Sequence, residues 1–487
     1  MNKLDGPTPL KILFVDISGR NGNSLISNLR KLSKKNHITA KQFEPQGHHV
    51  VSGAGFVDLF DRIITSLTTE SFDLVCFVRN VGRIRKPFLR SVLRLKELNS
   101  SGIYFFDEID STSKLRKIPI HRAKYLPIRY SFQDYLGSLL LISSDLITGH
   151  KSSSPVSIQE FLLQSEISLP GTIRHEQAFA FEKYQEEISP TSVSEKAKPN
   201  LQLQPLVSIV IPTRGKTLQG ESEPIALTAV KSIVSKSNYQ NFEIIIVADD
   251  GHDPDLDQRL IEIAGKRIQV VEWKKPFNFS EKINLGYTYC SGEYLILMND
   301  DVTVISPDWI EQMLIFGLRP NIGLVGALLY FPNETIQHAG QAVFKGAPSH
   351  IGMGQPRGSK GPENAYLVPR EVTGVTAACA LISKVDFMRA GGFTALLPGN
   401  FNDVDFCFKI RSLGLEIVIT PFAELYHHES ITRDSHVHYY ELDFIRSRWS
   451  GLLDDDKFWP EHPFKSARKV WAIDRIFGLG LYRNSQL

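Results

Sequence analysis

The amino-acid sequence predicts an α/β protein whose Rossmann-like, mostly parallel sheet is flanked by helices, in two tandem domains. Three observations predict this fold class. The second half of the chain alternates strand-like and helix-like segments in the order β-α-β-α-β, which is typical of a parallel sheet. Two of its apolar runs end in carboxylate pairs, Asp249-Asp250 and Asp300-Asp301, as strands do at a ligand-binding sheet edge. A chain of 487 residues is also too long for one ordinary core.

The composition is that of a globular protein, with 42% hydrophobic and 22% charged residues. A net charge of +2 creates no strong field, so we expect no nucleic-acid partner. The four cysteines are scattered without zinc spacing, which favours reduced thiols. The first nine residues lack the regions of a signal peptide, and no apolar run is long enough to span a membrane. We therefore expect a cytoplasmic protein; the oligomeric state stays open.

Residues 1–184 are predicted to form the first domain. The loop after its first strand, 11–17, contains two glycines without the dinucleotide-binding spacing, so phosphate binding there is a weak hypothesis. A basic cluster follows the strand at 72–78, and it either contacts an anionic membrane surface or forms a solvated helix face. The cluster consists of Arg83, Arg85, Lys86, Arg90 and Arg94. The polar stretch 185–205 is predicted to be a linker.

Residues 206–438 are predicted to form the second domain, whose first half has the pattern of a nucleotide-binding fold. Its predicted strands are 206–214, 242–248 and 268–271, which alternate with helices beginning at Pro224 and near Asp255. An acid at the end of the second strand, Asp249 or Asp250, can accept a hydrogen bond from a ribose hydroxyl or a base. The first turn has no glycine fingerprint, which argues against NAD.

The segment Asn299-Asp300-Asp301 directly follows an apolar run of strand length, 294–298. Burying two unpaired carboxylates is costly, so they are expected at the strand end, facing solvent or a cation. Oxygen ligands suit Mg²⁺ or Mn²⁺, which commonly bridge protein carboxylates to substrate phosphates. The alternative is a solvated turn after a core strand.

The loop 276–286 leads into a helix that Ser280 is predicted to cap. Lys282 would then lie near the helix amino terminus, where anions are favoured, and is predicted to contact a phosphate; the alternative is a surface lysine. Asn278 and Asn284 lie on the same segment and are further ligand-binding candidates.

A second acidic segment contains Asn402, Asp403 and Asp405. Asn402 is predicted to cap a helix that ends at Gly414, and Asp405 then falls where a carboxylate bonds back to the cap. Capping does not explain Asp403 as well, because Asp403 lies at the amino-terminal end of the helix. Thr376, in an apolar strand of small residues, is a candidate substrate contact, although packing explains most of that strand.

Ten segments between residues 205 and 434 resemble, in order, the family 2 glycosyltransferases of the GT-A fold, especially their bacterial O-antigen and rhamnosyltransferase-like branch. The segments are VSIVIPTR, EIIIVADDG, FNFSEKINLG, GEYLILMNDDV, PDWIEQML, IGLVGALLYFPNETIQHAG, VTGVTAACALI, GGF, FNDVDFCFKIRSLG and TPFAELYHHESITRD. The resemblance implies that Asp301 binds the metal, with Asn299 in the first place of the family's D-x-D motif. It also makes Asp403 the general base and His427 a metal or pyrophosphate ligand. Arg433 is a candidate for neutralising the diphosphate, whereas His338 and His350 are predicted to be loop residues.

The predicted site groups these residues by role. It comprises donor-binding Pro212, Thr213, Arg214, Asp249, Asp250, Asn278, Lys282, Asn284, Asn299 and Asp300, acceptor-binding Thr376 and Asn402, metal-binding Asp301 and His427, and catalytic Asp403. Segments of the first domain also resemble a glycosyltransferase domain, but Arg79-Asn80-Val81-Gly82 stands where the family has its metal-binding acids. An inactive GT-A-like first domain is therefore predicted, and the tail 439–487 is predicted to pack on the catalytic domain.

The resemblance implies an inverting, metal-dependent transferase that uses Mn²⁺ or Mg²⁺. It would move a sugar from a nucleotide-sugar donor to a glycan or lipid-linked acceptor in cell-surface polysaccharide biosynthesis, with contact at the inner face of the plasma membrane left open. Two alternatives remain at this point. A nucleotidyltransferase would need a triphosphate loop that the turn at 212–214 lacks, and a non-catalytic sugar-binding or scaffold subunit would need no base.

Overall fold

The computed structural model describes residues 10–17, 38–43, 54–98, 100–112, 117–150, 155, 157–184, 201–217, 223–344, 347–428, 437–453 and 456–459. The predicted phosphate loop, most of the predicted linker and most of the tail lie outside these residues. The chain divides into two compact units. The amino-terminal unit comprises Met1–Tyr125, Asp134–Thr191 and Trp459–Leu487, and the carboxyl-terminal unit comprises Leu126–Gln133 and Ser192–Phe458.

The amino-terminal unit is built on one mixed sheet with the strand order β2-β1-β3-β7-β5-β8-β4, and β6 pairs with β5. Its strands are β1 (Leu10–Asp16), β2 (Ile38–Phe43), β3 (Leu74–Val78), β4 (Gly82–Ile84), β5 (Ile103–Asp110), β6 (Ile118–Ile120), β7 (Leu139–Ser143) and β8 (Ile173–Lys183). Its helices are α1 (Ala54–Thr69), α2 (Lys86–Glu97), α4 (Ser144–Thr148) and α5 (Ile158–Ser168); α3 belongs to the other unit.

Strand β5 runs through an acidic segment that includes Asp107 and Glu108. Asp107 accepts hydrogen bonds from the Arg122 backbone N–H at 2.9 Å and contacts His175 Nε2 at 2.8 Å. Glu108 pairs with the Arg122 guanidinium at 2.6 Å. These partners allow the strand to bury both carboxylates. Two members of the basic cluster are likewise ion-paired, Arg83 with Glu182 and Arg94 with Glu176.

The carboxyl-terminal unit holds a sheet with the order β11-β10-β9-β12-β19-β14-β20-β13, to which β15 and β18 add at β14 and β20. The strands are β9 (Val207–Thr213), β10 (Phe242–Asp249), β11 (Ile268–Trp273), β12 (Tyr294–Met298), β13 (Val302–Val304), β14 (Ile322–Tyr330), β15 (Ile336–His338), β18 (Arg370–Glu371), β19 (Cys379–Ser383) and β20 (Glu416–His427). A separate hairpin pairs β16 (Gln341–Phe344) with β17 (Ala347–His350).

The helices of this unit cover both faces of the sheet. They are α3 (Pro127–Phe132), α6 (Ile225–Lys236), α7 (Leu256–Ala264), α8 (Phe279–Tyr289), α9 (Trp309–Gly317), α10 (Lys384–Arg389), α11 (Asn402–Ser412) and α12 (Tyr439–Leu453). Along β9, Ile209 and Ile211 join one hydrophobic cluster and Val210 joins the cluster on the other face. Because both faces are buried, the strand is apolar throughout rather than alternating.

The sheet is parallel only in part, which corrects the prediction of a mostly parallel sheet. Strands β11, β10, β9 and β12 are parallel neighbours, as the β-α-β-α-β pattern predicts. Strand β19 then runs antiparallel to both β12 and β14. These antiparallel strands are not joined by successive β-α-β crossovers, so the handedness rule for such crossovers does not govern them.

Within the described residues, no helix is both long and apolar enough to cross a membrane. All four cysteines are buried free thiols.

Helix α3 is built into the carboxyl-terminal unit, although its neighbours in sequence belong to the other unit. Ile128 joins the main hydrophobic cluster and Phe132 packs near Phe316, at 6.1 Å between ring centroids. Buried Glu371 accepts hydrogen bonds from the backbone N–H groups of Ile128 at 2.7 Å and Arg129 at 3.2 Å. One carboxylate thus satisfies two amides at the start of the helix.

The Glu371→Ala variant is expected to loosen α3, because two buried N–H groups lose their acceptor at about 1–3 kcal/mol each. Hydrogen exchange followed by mass spectrometry should show faster exchange in a peptide covering residues 126–133. The Glu371→Gln variant keeps one acceptor oxygen and should show a smaller change. Unchanged exchange in Glu371→Ala would contradict the role given to this carboxylate.

Candidate active site

A cavity of about 270 Å³ opens at the carboxyl ends of β9 and β12, within the carboxyl-terminal unit. Most of the predicted site residues line it. Those residues are Pro212, Thr213, Arg214, Asn299, Asp300, Asp301, Thr376, Asn402, Asp403 and His427. The predicted donor-binding residues that do not line it are Asp249, Asp250, Asn278, Lys282 and Asn284.

A hydrogen bond joins Thr213, the last residue of β9, to Asp300, which follows the end of β12. The Thr213 hydroxyl donates to Asp300 Oδ2 at 2.6 Å and accepts from the Gly215 backbone N–H at 3.0 Å. Burial, together with the adjacent Asp301 carboxylate, raises the pKa of Asp300 to about 6. Asp300 therefore fixes the turn after β9 and is not a solvated turn residue.

Asp301 and His427 meet because β13 pairs with the end of β20. His427 lies directly opposite Val302 in that antiparallel ladder, and the His428 N–H donates to the Asp301 carbonyl at 3.0 Å. His427 Nε2 is 3.1 Å from Asp301 Oδ1. The ring is held from its other side by Gln337, whose Oε1 lies 2.6 Å from His427 Nδ1.

The hydrogen bonds of His427 define which nitrogen carries the proton. Nδ1–H donates to the Gln337 amide oxygen, and Asn299 Nδ2 donates to Nε2 at 3.1 Å. In the neutral ring Nε2 is therefore an acceptor, and it faces Asp301 Oδ1, which then has no donor; a protonated His427 instead donates Nε2–H to this oxygen across the same 3.1 Å. Two electron-rich atoms that face each other in this way are stabilised by a cation, so this pair fits a divalent metal ion.

The two side chains would supply only part of a metal's ligands. No group of three or more histidine, cysteine or acidic side chains within the described residues is arranged to hold a metal ion. Mg²⁺ sites commonly use one or two carboxylates and complete the shell with water and substrate phosphates. Arg433, considered in the sequence as a diphosphate contact, lies outside the described residues.

Asp403 stands in the first turn of α11 and is held by two donors. Gln341 Nε2 donates to its Oδ2 at 3.1 Å, and the Val404 backbone N–H donates to its Oδ1 at 2.8 Å. Asn402 is the first helical residue, which corrects its predicted role as the cap. The capping position belongs to Phe401, whose φ of 55° is unusual for a residue with a side chain. Asn402 instead donates to the Gly399 carbonyl at 3.0 Å.

Asp405 is fully buried and joins three segments, which corrects its predicted bond back to the cap. It accepts hydrogen bonds from the Thr394 hydroxyl at 2.6 Å and from Trp449 Nε1 at 2.8 Å. Arg448 lies 3.2 Å from one carboxylate oxygen, and Lys409 lies 3.6 Å from the other. Asp405 thus ties helix α12 to the helix that carries Asp403.

The Asp405→Ala variant is expected to lower the free energy of unfolding by about 3–5 kcal/mol, because several buried donors and two cations lose a shared partner. Urea unfolding followed by tryptophan fluorescence measures this change. Asp443→Ala, which removes an exposed carboxylate of α12, serves as the matched control. Equal unfolding midpoints for both variants would contradict this assignment.

The buried position of the Lys282 side chain was not predicted from the sequence. Its ammonium is completely buried, 2.6 Å from both Asp249 Oδ1 and the Thr213 carbonyl oxygen. Burial lowers the pKa of Lys282, and the Asp249 carboxylate opposes that shift. Lys282 is thus not a surface lysine, and its ammonium contacts Asp249 and Thr213 rather than the cavity. Asp250, at the same strand end, is exposed.

Asn278 and Asn284 bind backbone groups rather than the cavity. Asn278 caps α8 by accepting from the Glu281 N–H at 3.1 Å, and it donates to the Ala395 carbonyl at 2.9 Å. Asn284 exchanges two hydrogen bonds with the backbone of Phe393, both at 2.8 Å. Ser280, the predicted cap, donates to the Leu397 carbonyl instead. The three side chains hold the loop before α11, which explains their polar character.

The cavity also contains residues that the sequence did not single out as ligands. They include Phe277, Gln337, Gln341 and His350. Phe277 is 40% exposed and lies 5.7 Å from the Arg214 guanidinium. The sequence signal that could have identified Phe277 is a phenylalanine in the short loop between a predicted strand and a predicted helix. His350 was predicted to be a loop residue, but it ends strand β17.

Comparison with known proteins agrees with the predicted resemblance. Residues 208–387 match the family model "Glycosyl transferase family 2". The chain is 36% identical over 256 residues to the uncharacterized protein y4gI of Sinorhizobium fredii, which covers 50% of this chain and 28% of that protein. It is 29% identical over 247 residues to the O-antigen biosynthesis protein RfbC of Myxococcus xanthus, which covers 50% of this chain and 19% of that protein. The chain thus spans less than a third of the length of either relative.

Two solved structures are similar over about half of the chain. One is the mannosyltransferase PcManGT from Pyrobaculum calidifontis in complex with GDP-Man and Mn²⁺, at 14% identity and a TM-score of 0.36, covering 49% of this chain and 62% of that one. The other is GalNAc-T7 with UDP, GalNAc and Mn²⁺, at 13% identity and a TM-score of 0.41, covering 52% and 50%. Both TM-scores are below 0.5.

The family match confirms the prediction of a glycosyltransferase domain in the second half of the chain. One relative, which matches 50% of this chain, is an O-antigen biosynthesis protein.

Proposed function

We propose that this chain is an inverting, metal-dependent glycosyltransferase that moves a sugar from a nucleotide-sugar donor to a saccharide or lipid-linked glycan acceptor. Cell-surface polysaccharide biosynthesis is the proposed setting, since one relative is an O-antigen biosynthesis protein. The observation that carries the proposal is the shared cavity of Asp301 and Asp403. One carboxylate can hold a cation against a diphosphate, and the other can take a proton from an attacking hydroxyl.

The nucleotide is proposed to bind along the turn after β9. Thr213 and Arg214 line the cavity there, and the exposed ring of Phe277 offers a stacking surface for a base. Lys282 supports this turn from below by binding the Thr213 carbonyl and Asp249. We therefore assign Lys282 a positioning role in donor binding. Its charge still favours an anion nearby, although its ammonium makes no direct contact with the cavity.

Asp301 and His427 would hold the divalent cation. When bound, that cation supplies positive charge next to the diphosphate, which lowers the cost of the negative charge that grows on the leaving group. Gln337 keeps the His427 proton on Nδ1 and so leaves Nε2 available as a ligand. Asp300 and Thr213 keep the preceding backbone in place through their 2.6 Å hydrogen bond.

Asp403 is proposed as the general base. An acceptor hydroxyl oxygen forms a bond to the anomeric carbon, the bond from that carbon to the diphosphate oxygen breaks, and its electron pair leaves with the diphosphate. The hydroxyl proton passes to Asp403, whose oxygens each retain a lone pair beyond the donors from Gln341 and Val404. Attack from the face opposite the leaving group inverts the anomeric configuration.

The amino-terminal unit is proposed to be a GT-A-like domain without transferase activity. At the end of β3, Arg79 donates to Asp134 Oδ1 at 3.1 Å and pairs with the second oxygen of that carboxylate. Buried Asn80 donates to the Ser138 hydroxyl at 3.1 Å. A guanidinium at this strand end opposes a second cation, which supports the predicted loss of metal binding.

A thermal-shift screen tests the proposed function. The chain is expected to be stabilised by one nucleoside diphosphate more than by others, and only with Mn²⁺ or Mg²⁺ present. The nucleotide sugars of the selected base are then tested for transfer and for slow hydrolysis. If no nucleoside diphosphate or nucleotide sugar stabilises the chain with either cation, the proposal is wrong.

A further inference from the structure

The hairpin of β16 and β17 forms one wall of the cavity and places His350 next to the catalytic machinery. Gln341 and His350 are directly opposite each other in this hairpin. Side chains of such cross-strand partners project from the same face. Since Gln341 contacts Asp403 and both hairpin residues line the cavity, the His350 ring belongs to the wall near the proposed base.

A second, buried histidine fixes the orientation of this ring. His338 lies on β15 and has no exposed surface. Its Nε2 accepts a hydrogen bond from the Thr376 backbone N–H at 3.3 Å. Its Nδ1 lies 3.1 Å from His350 Nδ1. Burial lowers the pKa of His338 well below its usual value, so this imidazole carries one proton.

These contacts determine the tautomers of both rings. Because His338 Nε2 is an acceptor, the single proton of His338 is on Nδ1 and is donated to His350. His350 Nδ1 is then an acceptor, so a neutral His350 carries its proton on Nε2. Nε2–H is a hydrogen-bond donor and cannot take up a proton.

Strand β15 performs the same task for the other histidine of the cavity. Gln337, the residue before His338, holds His427 through Nδ1, and neighbouring residues of a strand point to opposite faces. One short buried strand therefore leaves His427 with an accepting Nε2 and His350 with a donating Nε2. The first suits a cation and the second suits an oxygen ligand.

We propose that His350 binds a sugar hydroxyl through Nε2–H and that His338 is the positioning residue that sets this tautomer. The proposal rests on the proposed function, since it needs a sugar in this cavity. That hydroxyl belongs either to the donor sugar or to the acceptor saccharide, and the two cases give different results in the binding test. Neutral sugars offer hydroxyl oxygens as acceptors, which matches the donor presented by His350.

The tautomer is tested without substrate by ¹⁵N–¹H NMR of the imidazole nitrogens in the whole chain. His350 is expected to be protonated on Nε2, and His338→Leu should remove that preference. His338→Asn, whose amide can donate from a position similar to Nδ1, should largely restore it. A wild-type His350 protonated on Nδ1 would overturn the proposal.

The binding test compares His350→Ala, His350→Gln and a control, His438→Ala, which removes an imidazole that does not line the cavity. Calorimetry is done with the preferred nucleotide sugar and with its nucleoside diphosphate, and the acceptor KM is measured in the transfer reaction. If the hydroxyl is on the donor, His350→Ala should weaken nucleotide-sugar binding about tenfold and leave diphosphate binding unchanged. If it is on the acceptor, only the acceptor KM should rise, by a similar factor.

His350→Gln should restore much of either loss, because its amide N–H reaches about as far as imidazole Nε2. Nucleotide-sugar affinity and acceptor KM that both stay within about twofold of wild type in His350→Ala would overturn the proposal. A wild-type chain that binds no nucleotide refutes the proposed function instead, and the NMR result distinguishes that case.

Discussion

The Asp403→Asn variant is expected to lose transfer activity, with kcat reduced by about 10²- to 10⁴-fold, the usual contribution of a general base. The carboxylate is held by Gln341 and by the start of α11, and an asparagine of the same shape preserves the cavity but cannot accept the hydroxyl proton. Affinity for the nucleotide sugar should therefore remain near that of wild type. Steady-state transfer assays together with calorimetry separate the two effects.

The matched control for this experiment is Asp255→Asn, which removes a carboxylate that is 64% exposed and outside the cavity. Its kcat should equal that of wild type. An Asp403→Asn enzyme with more than about a third of wild-type kcat would remove Asp403 from the proposed role.

The Asp301→Asn variant is expected to abolish the effect of divalent cations on nucleotide binding and to lower kcat/KM by about 10³-fold or more, since metal charge stabilisation amounts to several kcal/mol. The amide keeps the shape of the side chain but removes the charge and one accepting oxygen. Nucleoside diphosphate binding, measured by calorimetry with and without Mn²⁺, should become independent of the cation.

The same substitution should leave the fold intact, which makes it a clean test. When His427 is neutral, Asp301 Oδ1 has no donor and faces the accepting Nε2 at 3.1 Å. An asparagine amide N–H can donate to that nitrogen, so the thermal midpoint without metal should equal or exceed that of wild type. A variant that retains full stimulation by Mn²⁺ would show that the cation binds elsewhere.

The local elements of the nucleotide-binding half could be predicted from the sequence because their physical signal is local. Strands β9 and β10 are apolar on both faces, since helices cover both sides of the sheet, and each was located to within a residue or so at its ends. Strand direction beyond β12 was not predictable in this way. Strand β19 is far from β12 in the sequence, and its own residue pattern does not indicate that it pairs antiparallel with β12.

Some predicted site residues lie away from the cavity because their polar side chains bind distant backbone groups. Asn278 and Asn284 have the residue type of a ligand contact, but they bind the carbonyl and amide groups of residues 393 and 395. Conversely, the spacing of residues in the sequence does not show which side chains surround His427. The pairing of β13 with β20 brings His427 next to Asp301. Helix α3 is the extreme case, since its acceptor Glu371 lies in the other half of the chain.

The central claim is that one cavity holds a cation and a diphosphate at Asp301 and His427 while Asp403 faces the transferred sugar. The most direct measurement is a crystal structure of the chain with Mn²⁺ and its preferred nucleoside diphosphate, using anomalous scattering to locate manganese. We expect manganese within bonding distance of Asp301 and His427, bridged to the diphosphate in the cavity that Asp403 lines. Manganese and diphosphate bound at another site, with this cavity empty, would contradict the account.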